Sequence, residues 1–245
     1  MKSHNEKLAG WAGIGLVLLA VALLYWPGMG GGFAFDDISN LVNNPALHVK
    51  SLHPDDWMAA IFSSPASSLQ RPLAMATFAI NHFFTGMDPS AMKLTNLAIH
   101  LLNTLLVFQL VRTLFPFLGV RDGRTWTALF VAFAWAVHPI NLMAVLYVVQ
   151  RMESLSHSFV LLGLCLYATL RIRQIAQEGG WWKLAGSLVA CSSLGLAAKE
   201  SAVLLPLYAF SLEVLVFRFR GADTFASRRL WTMYLVLLLI PALAA

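Results

Sequence analysis

Leu8-Ala-Gly-Trp-Ala-Gly-Ile-Gly-Leu-Val-Leu-Leu-Ala-Val-Ala-Leu-Leu-Tyr-Trp26 runs for nineteen residues without a charge. At about 1.5 Å per residue, a helix of that length reaches roughly 28 Å, against a bilayer hydrocarbon core of about 30 Å. This run therefore reads as a membrane helix, and it sets the reading of everything after it. Lys2 and Lys7 precede it; Pro27 and the glycine-rich Gly28–Gly32 follow. It is longer than the apolar core of a signal peptide, roughly 7 to 15 residues, and no convincing small-x-small cleavage site follows. It predicts an uncleaved signal anchor.

Composition agrees. Of 245 residues, 58% are hydrophobic and 12% charged, about half the charged share of a soluble domain. The mean hydropathy is +0.69. The apolar runs are continuous, so they predict helices and not the short alternating strands of a barrel. The net charge of +5 fits the basic cytoplasmic loops of a membrane protein and not a nucleic-acid binder. Cys165 and Cys191 both sit in apolar runs, which argues against a disulfide framework or a zinc site.

Outward from the first span, residues 27–90 contain no full-length crossing. They hold Asp36-Asp37, Asn43-Asn44-Pro45 and a helix start at Pro54-Asp55-Asp56, with carboxylates facing the positive end of the helix dipole. Arg71-Pro72 opens Leu73–Phe84, twelve apolar residues that suit the membrane interface better than a crossing. Residues 91–245 hold six further segments: 91–115, 125–137, 155–170, 181–198, 201–217 and one from about 230 that runs to Ala245. The fold class is thus an all-α polytopic membrane module of about seven spans, with a long first external loop carrying short interfacial helices. The last segment has the pattern of a chain that continues. With the N-terminus in the cytoplasm, twelve Lys and Arg fall inside and five outside, as the positive-inside rule requires. Asp36, Asp37, Asp55, Asp56, Asp88, Glu153, Glu200 and six of seven histidines fall outside.

The polar residues therefore gather near one boundary: Asp36, Asp37, Arg71, the Asn96/His100/Asn103 stripe on one helix face, His138, Arg151, Glu153, His157, Lys199 and Glu200. Ionisable groups at such a depth mark a substrate path or are paired. Each also has a structural reading. Asp36-Asp37 could be a solvated loop, and Arg71 could snorkel to headgroups. The stripe could be interhelical glue, His138-Pro139 a helix end, and Lys199-Glu200 an ordinary loop. Glu153 and His157 can pair at i, i+4, whereas Arg151 and Glu153 do not face each other. Glu213 has the surroundings of a pairing residue and no assigned role. As a functional set, the cations Arg71, Arg151 and Lys199 suit phosphate oxygens, and a carboxylate suits a general base. No nucleophile elbow and no phosphate-binding loop of the Walker type occurs. A transporter or flippase would need polar residues continuing inward; a non-catalytic scaffold would need none to converge.

Several stretches, in order, resemble one group of membrane glycosyltransferases: Phe35-Asp36-Asp37; Asn43-Asn44-Pro45; Arg71-Pro72-Leu73; Leu94 to Asn103; His138-Pro139-Ile140; Tyr147 to Leu155; and Ala198 to Pro206. The set is similar to the transmembrane-and-tetratricopeptide-repeat O-mannosyltransferase-like proteins of the GT-C superfamily and their bacterial relatives, over about residues 30–210. The resemblance implies a GT-C-like module over residues 1–245. It implies an inverting transfer from a polyprenyl-phosphate-linked sugar to an acceptor hydroxyl on protein, at the outer face of a bacterial inner membrane. It implies Asp36 and Asp37 as the catalytic acids and Arg71, Arg151 and Lys199 as donor-phosphate contacts. Asn96, His100, His138, Glu153 and Glu200 would support them. No cofactor is implied; a divalent metal on Asp36, Asp37 and a histidine is a minor alternative. The family often carries a Glu after His-Pro, where this chain has Met143.

Overall fold

The computed structural model describes residues 2–118, 123–176, 180–220 and 224–244. Arg121, counted above among the inner cations, and Ala245 lie outside them. Ten α-helices follow in chain order: α1 (Lys2–Tyr25), α2 (Pro54–Ile61), α3 (Pro72–Thr85), α4 (Pro89–Leu114), α5 (Arg124–Ala136), α6 (Leu142–Leu146), α7 (Arg151–Ile175), α8 (Trp181–Leu196), α9 (Leu205–Leu212) and α10 (Thr224–Ala244). Short 3-10 and π turns join several of them, and no strand occurs among the described residues.

Among the described residues, four stretches are long and apolar enough to cross a membrane: Ala9–Gly28, Pro89–Phe117, Val148–Ile175 and Glu200–Phe217. Arg124–Ala136 and Pro139–Leu146 make a fifth if that pair, bent by 53° at the break, counts as one span. The chain is an integral membrane protein. These account for four or five of the seven expected crossings among the described residues; α8 has only 16 residues and so covers about 24 Å. Neither it nor α10 is among the candidate spans.

The helix starts follow from local chemistry. Pro54, Pro72 and Pro89 each occupy the first turn, where a missing N–H costs nothing. The Asp88 carboxylate accepts the Ser90 amide at 2.9 Å and opens α4. His138 does the same for the turn at Pro139, its Nδ1 accepting the Ile140 amide at 3.2 Å. That cap, with the following proline, breaks α5 from α6. The α3 start is unusual. Gln70 and Arg71 both lie in the left-handed region, at φ 56° and 47°, a conformation that costs free energy for residues with a Cβ. It turns the chain so that the Leu73 amide donates to the Ala197 carbonyl at 2.8 Å, docking α3 on the end of α8.

Helix α7 is the centre of the bundle and packs on α4 and α8. Its approach to Leu205 is close: a Cβ at Gly163 would stand 2.5 Å from a Leu205 methyl, and that side chain would have to shift. Outward-facing Trp11, Leu16, Leu19, Leu23 and Leu24 on α1 remain exposed, as lipid-facing positions do. Near one end, α7 is clamped by buried charge. Arg171 and Glu213 are 1% and 0% exposed and pair at 2.8 Å. Tyr167 also donates to the Glu213 carboxylate. Glu213 thus finds the pairing partner expected of it, in an arginine the sequence placed at a water-facing flank.

At the other end of α7 lies a separate core. Leu41, Leu47 and Val49 of the first loop meet Met75 and Phe78 of α3 and Tyr147, Val148, Val149 and Met152 at the start of α7. The loop is therefore packed down onto α7.

Candidate active site

The site is built around seven residues, Tyr147 to Glu153. They cover one 3-10 turn and the first turn of α7. At about 2.0 Å per residue in the first part and 1.5 Å in the second, they extend about 10 Å. Asp36, Asp37, Arg71, Asn96 and Lys199 all make contacts to this stretch.

The two adjacent aspartates part company here. Phe35 takes a positive φ of 44°, and the chain folds back on itself at Ala34–Asp37. The Asp37 carboxylate is 1% exposed. It accepts the Ala34 amide at 3.0 Å and the Val149 amide at 2.7 Å. Burial raises its pKa; the two amides and Lys93 oppose the rise. Both oxygens are thus committed to holding the loop on α7. Asp36 presents its side chain to solvent, while its backbone is fixed on three sides. Its amide donates to the Tyr147 hydroxyl at 2.8 Å, and its carbonyl accepts from Ser39 Oγ at 3.3 Å and Asn40 Nδ2 at 2.9 Å. Burial, with help from both aspartates, raises the Tyr147 pKa, so this hydroxyl keeps its proton.

Residues 38–42 form a π turn, an element that recurs at functional sites. Beneath the loop, the Lys93 ammonium donates to the Gly31 carbonyl at 2.6 Å. Sequence reasoning gave no role to Lys93 or to Tyr147. A signal for Lys93 existed: it precedes Asn96, His100 and Asn103 by three, seven and ten residues, on the same helix face.

Two ion pairs lie at the Met152–Glu153 end of the stretch. Arg71 presents Nε and Nη2 to the Glu200 carboxylate, at 3.2 and 2.8 Å, and Nη1 to the Met152 sulfur at 3.3 Å. Ser67 adds a hydroxyl to the same carboxylate. Lys199 pairs with Glu153 at 2.8 Å, and His157 Nδ1 lies 3.3 Å from the other Glu153 oxygen. Lys199 and Glu200, neighbours in sequence, thus take partners on different elements. Both cations remain part-exposed.

Arg151 lies elsewhere than its expected role requires. It is 0% exposed, under the Phe78 ring at 4.3 Å. Its guanidinium donates to Asn96 Oδ1, the Met92 carbonyl and the Thr77 carbonyl at 2.8, 2.8 and 3.1 Å. No surface is left for a phosphate. This arginine fastens α7 to α3 and α4, because a buried cation persists only when its donors are matched. Asn96 completes the joint: its Nδ2 reaches the carbonyls of Val145, Tyr147 and Val148 at 3.2–3.3 Å. His100 donates from Nε2 to the Ala136 carbonyl at 2.9 Å, and Asn103 to the Ser154 carbonyl at 2.9 Å. The polar stripe of α4 is therefore interhelical glue in all three members. His138 is exposed and spends its ring nitrogen on the cap described above.

No group of three or more His, Cys, Asp or Glu side chains able to hold a metal ion occurs among the described residues. The pairing of Asp36 and Asp37 does not fit one either, since both Asp37 oxygens already serve backbone amides.

The sequence is similar to protein O-mannosyl-transferase Tmtc1 of Drosophila melanogaster, at 31% identity over 209 residues, 82% of this chain and 22% of that protein. It is also similar to protein O-mannosyl-transferase TMTC3 of Mus musculus, at 31% over 157 residues, 62% of this chain and 16% of that one. The human TMTC1 protein matches at 31% over 155 residues, 60% and 17%. The chain spans about a fifth of the length of these relatives. No family model and no solved structure matches it. Over the segment it shares with them, the chain is thus similar to the protein O-mannosyl-transferases of the TMTC group.

Proposed function

We propose that this chain is the sugar-transferring membrane module of a protein O-glycosyltransferase of GT-C type. It takes a hexose from a polyprenyl-phosphate donor and passes it, with inversion, to a hydroxyl of a protein acceptor at the outer face of the membrane. The relatives' names supply the reaction class, and a first span with its N-terminus in the cytoplasm, as the charge distribution suggests, leaves the Asp36 loop outside. The observation that carries the reading is the fate of the aspartate pair. One carboxylate is consumed in pinning the loop, so the other stands exposed on an immobilised backbone, beside the Tyr147 hydroxyl.

In this mechanism Asp36 takes the proton from the acceptor hydroxyl as the oxygen attacks the anomeric carbon. The bond from that carbon to phosphate oxygen breaks, and the lipid phosphate leaves with the electron pair. Arg71 and Lys199, already at the rim and already paired with carboxylates, exchange part of that pairing for phosphate oxygens and stabilise the leaving group. Asp37 and Tyr147 position Asp36 and do not touch the substrate. Arg151, Asn96 and His100 hold the platform.

The donor class is tested directly. Membranes carrying the chain are given radiolabelled polyprenyl-phosphate hexose and an acceptor protein fraction. Label entering protein supports the reading. Label entering only from a nucleotide sugar, with the lipid-linked form inert, contradicts it.

A further inference from the structure

A cavity of about 350 Å³ opens between α4, α5, α6 and α7, lined among others by His100, Asn103, Trp135, Asn141, Glu153 and His157. It holds none of the residues given a chemical role above: Glu153 appears there only as the partner of Lys199. Its size is at the small end of ligand pockets, about 300–1,000 Å³, enough for one ring and not for a lipid chain.

The wall has a definite hydrogen-bonding character. Asn103 is 2% exposed, and its Oδ1 is buried with no hydrogen-bond partner, while its Nδ2 is spent on the Ser154 carbonyl. An unpaired buried acceptor is costly and calls for an occupant. The other groups point the same way. A carbonyl can only accept, so His100 carries its proton on Nε2, toward Ala136, and leaves Nδ1 as an acceptor. His157 directs Nδ1 at the Glu153 carbonyl and likewise keeps an acceptor at Nε2. Asn141 spends Nδ2 on the Trp135 carbonyl at 2.6 Å and keeps Oδ1. Glu153 adds a carboxylate already paired with Lys199 and His157, and Gln150 adds a side-chain amide. The one flat wall is Trp135, stacked on His100 with centroids 5.2 Å apart.

Acceptors in excess and one aromatic plane ask for a ligand rich in O–H donors with an apolar face. We infer that this cavity binds an uncharged polyhydroxylated ring, with hydroxyl hydrogens on Asn103 Oδ1 and Glu153 and its C–H face on Trp135. Taking that ring to be the sugar of the transfer reaction rests on the reading above; the binding itself does not.

The rim residue Met143 is 48% exposed, and the two native cysteines are buried. Met143→Cys therefore gives a single reactive thiol at the mouth. Its alkylation by a maleimide is timed in the purified chain, with and without methyl hexopyranosides. Saturable slowing by a sugar is expected, with none from inorganic phosphate or choline. In a Met143→Cys/Asn103→Leu background, protection should need about tenfold more sugar, equivalent to about 1.4 kcal/mol. A Met143→Cys/Gln150→Ala chain, altered at a part-exposed rim position, serves where the Asn103 variant does not fold, and it should shift protection in the same direction. Unchanged alkylation with every sugar, protection by phosphate or choline instead, or protection indifferent to the second-site change in folded protein would overturn the inference. Sugar protection in a chain that transfers nothing upholds the cavity and removes the transfer reading; transfer without protection does the reverse.

Discussion

Asp36 and Asp37 are the same residue type one position apart, and nothing in their sequence separates them. The backbone does, through the positive φ at Phe35 and the two amides that collect on Asp37. Asp37→Ala should leave the buried Val149 N–H unpaired and cost about 1–3 kcal/mol, read as a lowered melting temperature in detergent. The pH dependence has a definite sign. The folded Asp37 pKa is raised by burial, so the native state binds its proton more tightly than the unfolded chain does. The stability this contributes is complete below the unfolded value, about 3.9, and is lost as pH rises through the folded one. The melting temperature of the wild type should therefore fall relative to that of Asp37→Asn as pH rises from about 3.5 to 7. Parallel curves for the two proteins would remove the claim that this carboxylate is buried. Which residues sit near the site was legible from residue type and order. Which of them face solvent was not, because that depends on backbone geometry at residues with no polar signature.

At the scale of elements, the proline-led starts of α2, α3 and α4 were readable, since a cap and a proline act within one turn. Arg151 was not. Its burial depends on carbonyls from α3 and α4 that lie 74 and 59 residues away, and no local pattern announces them. Its role as a fastener makes a prediction opposite to that of a phosphate contact. Arg151→Lys loses the planar set of donors and should lower the melting temperature clearly. The affinity of the remaining folded protein for polyprenyl phosphate should stay within about twofold, less than the loss of one hydrogen bond to charge. A large loss of phosphate affinity without loss of stability would return Arg151 to the substrate. The contact of α7 with α9 gives a second test. Gly163→Val drives a side chain into Leu205 and should cost about 1–3 kcal/mol. Adding Leu205→Ala should restore a good part of it, which a double-mutant cycle would show.

Across the whole molecule, the apolar runs identified a helical membrane protein at once, and four or five of the seven runs have the length and composition of a crossing among the described residues. A run of apolar residues does not reveal that α5 and α6 bend at His138-Pro139, or that α8 is short. In the proposed orientation, single cysteines at Ser39 and His138 should be labelled by an impermeant maleimide from outside sealed vesicles. One at Arg173 should be labelled only after permeabilisation. The reverse pattern would move the Asp36 loop to the cytoplasmic side and remove the donor chemistry with it.

All of these scales meet in one exposed carboxylate. The deciding measurement is the rate of sugar transfer from polyprenyl-phosphate hexose to protein by the wild type and by Asp36→Asn, at equal amounts of folded protein in one membrane preparation. Loss of a general base predicts a fall of about 10²- to 10⁴-fold with an unchanged melting temperature. An Asp36→Asn protein that transfers sugar at the wild-type rate would contradict the account.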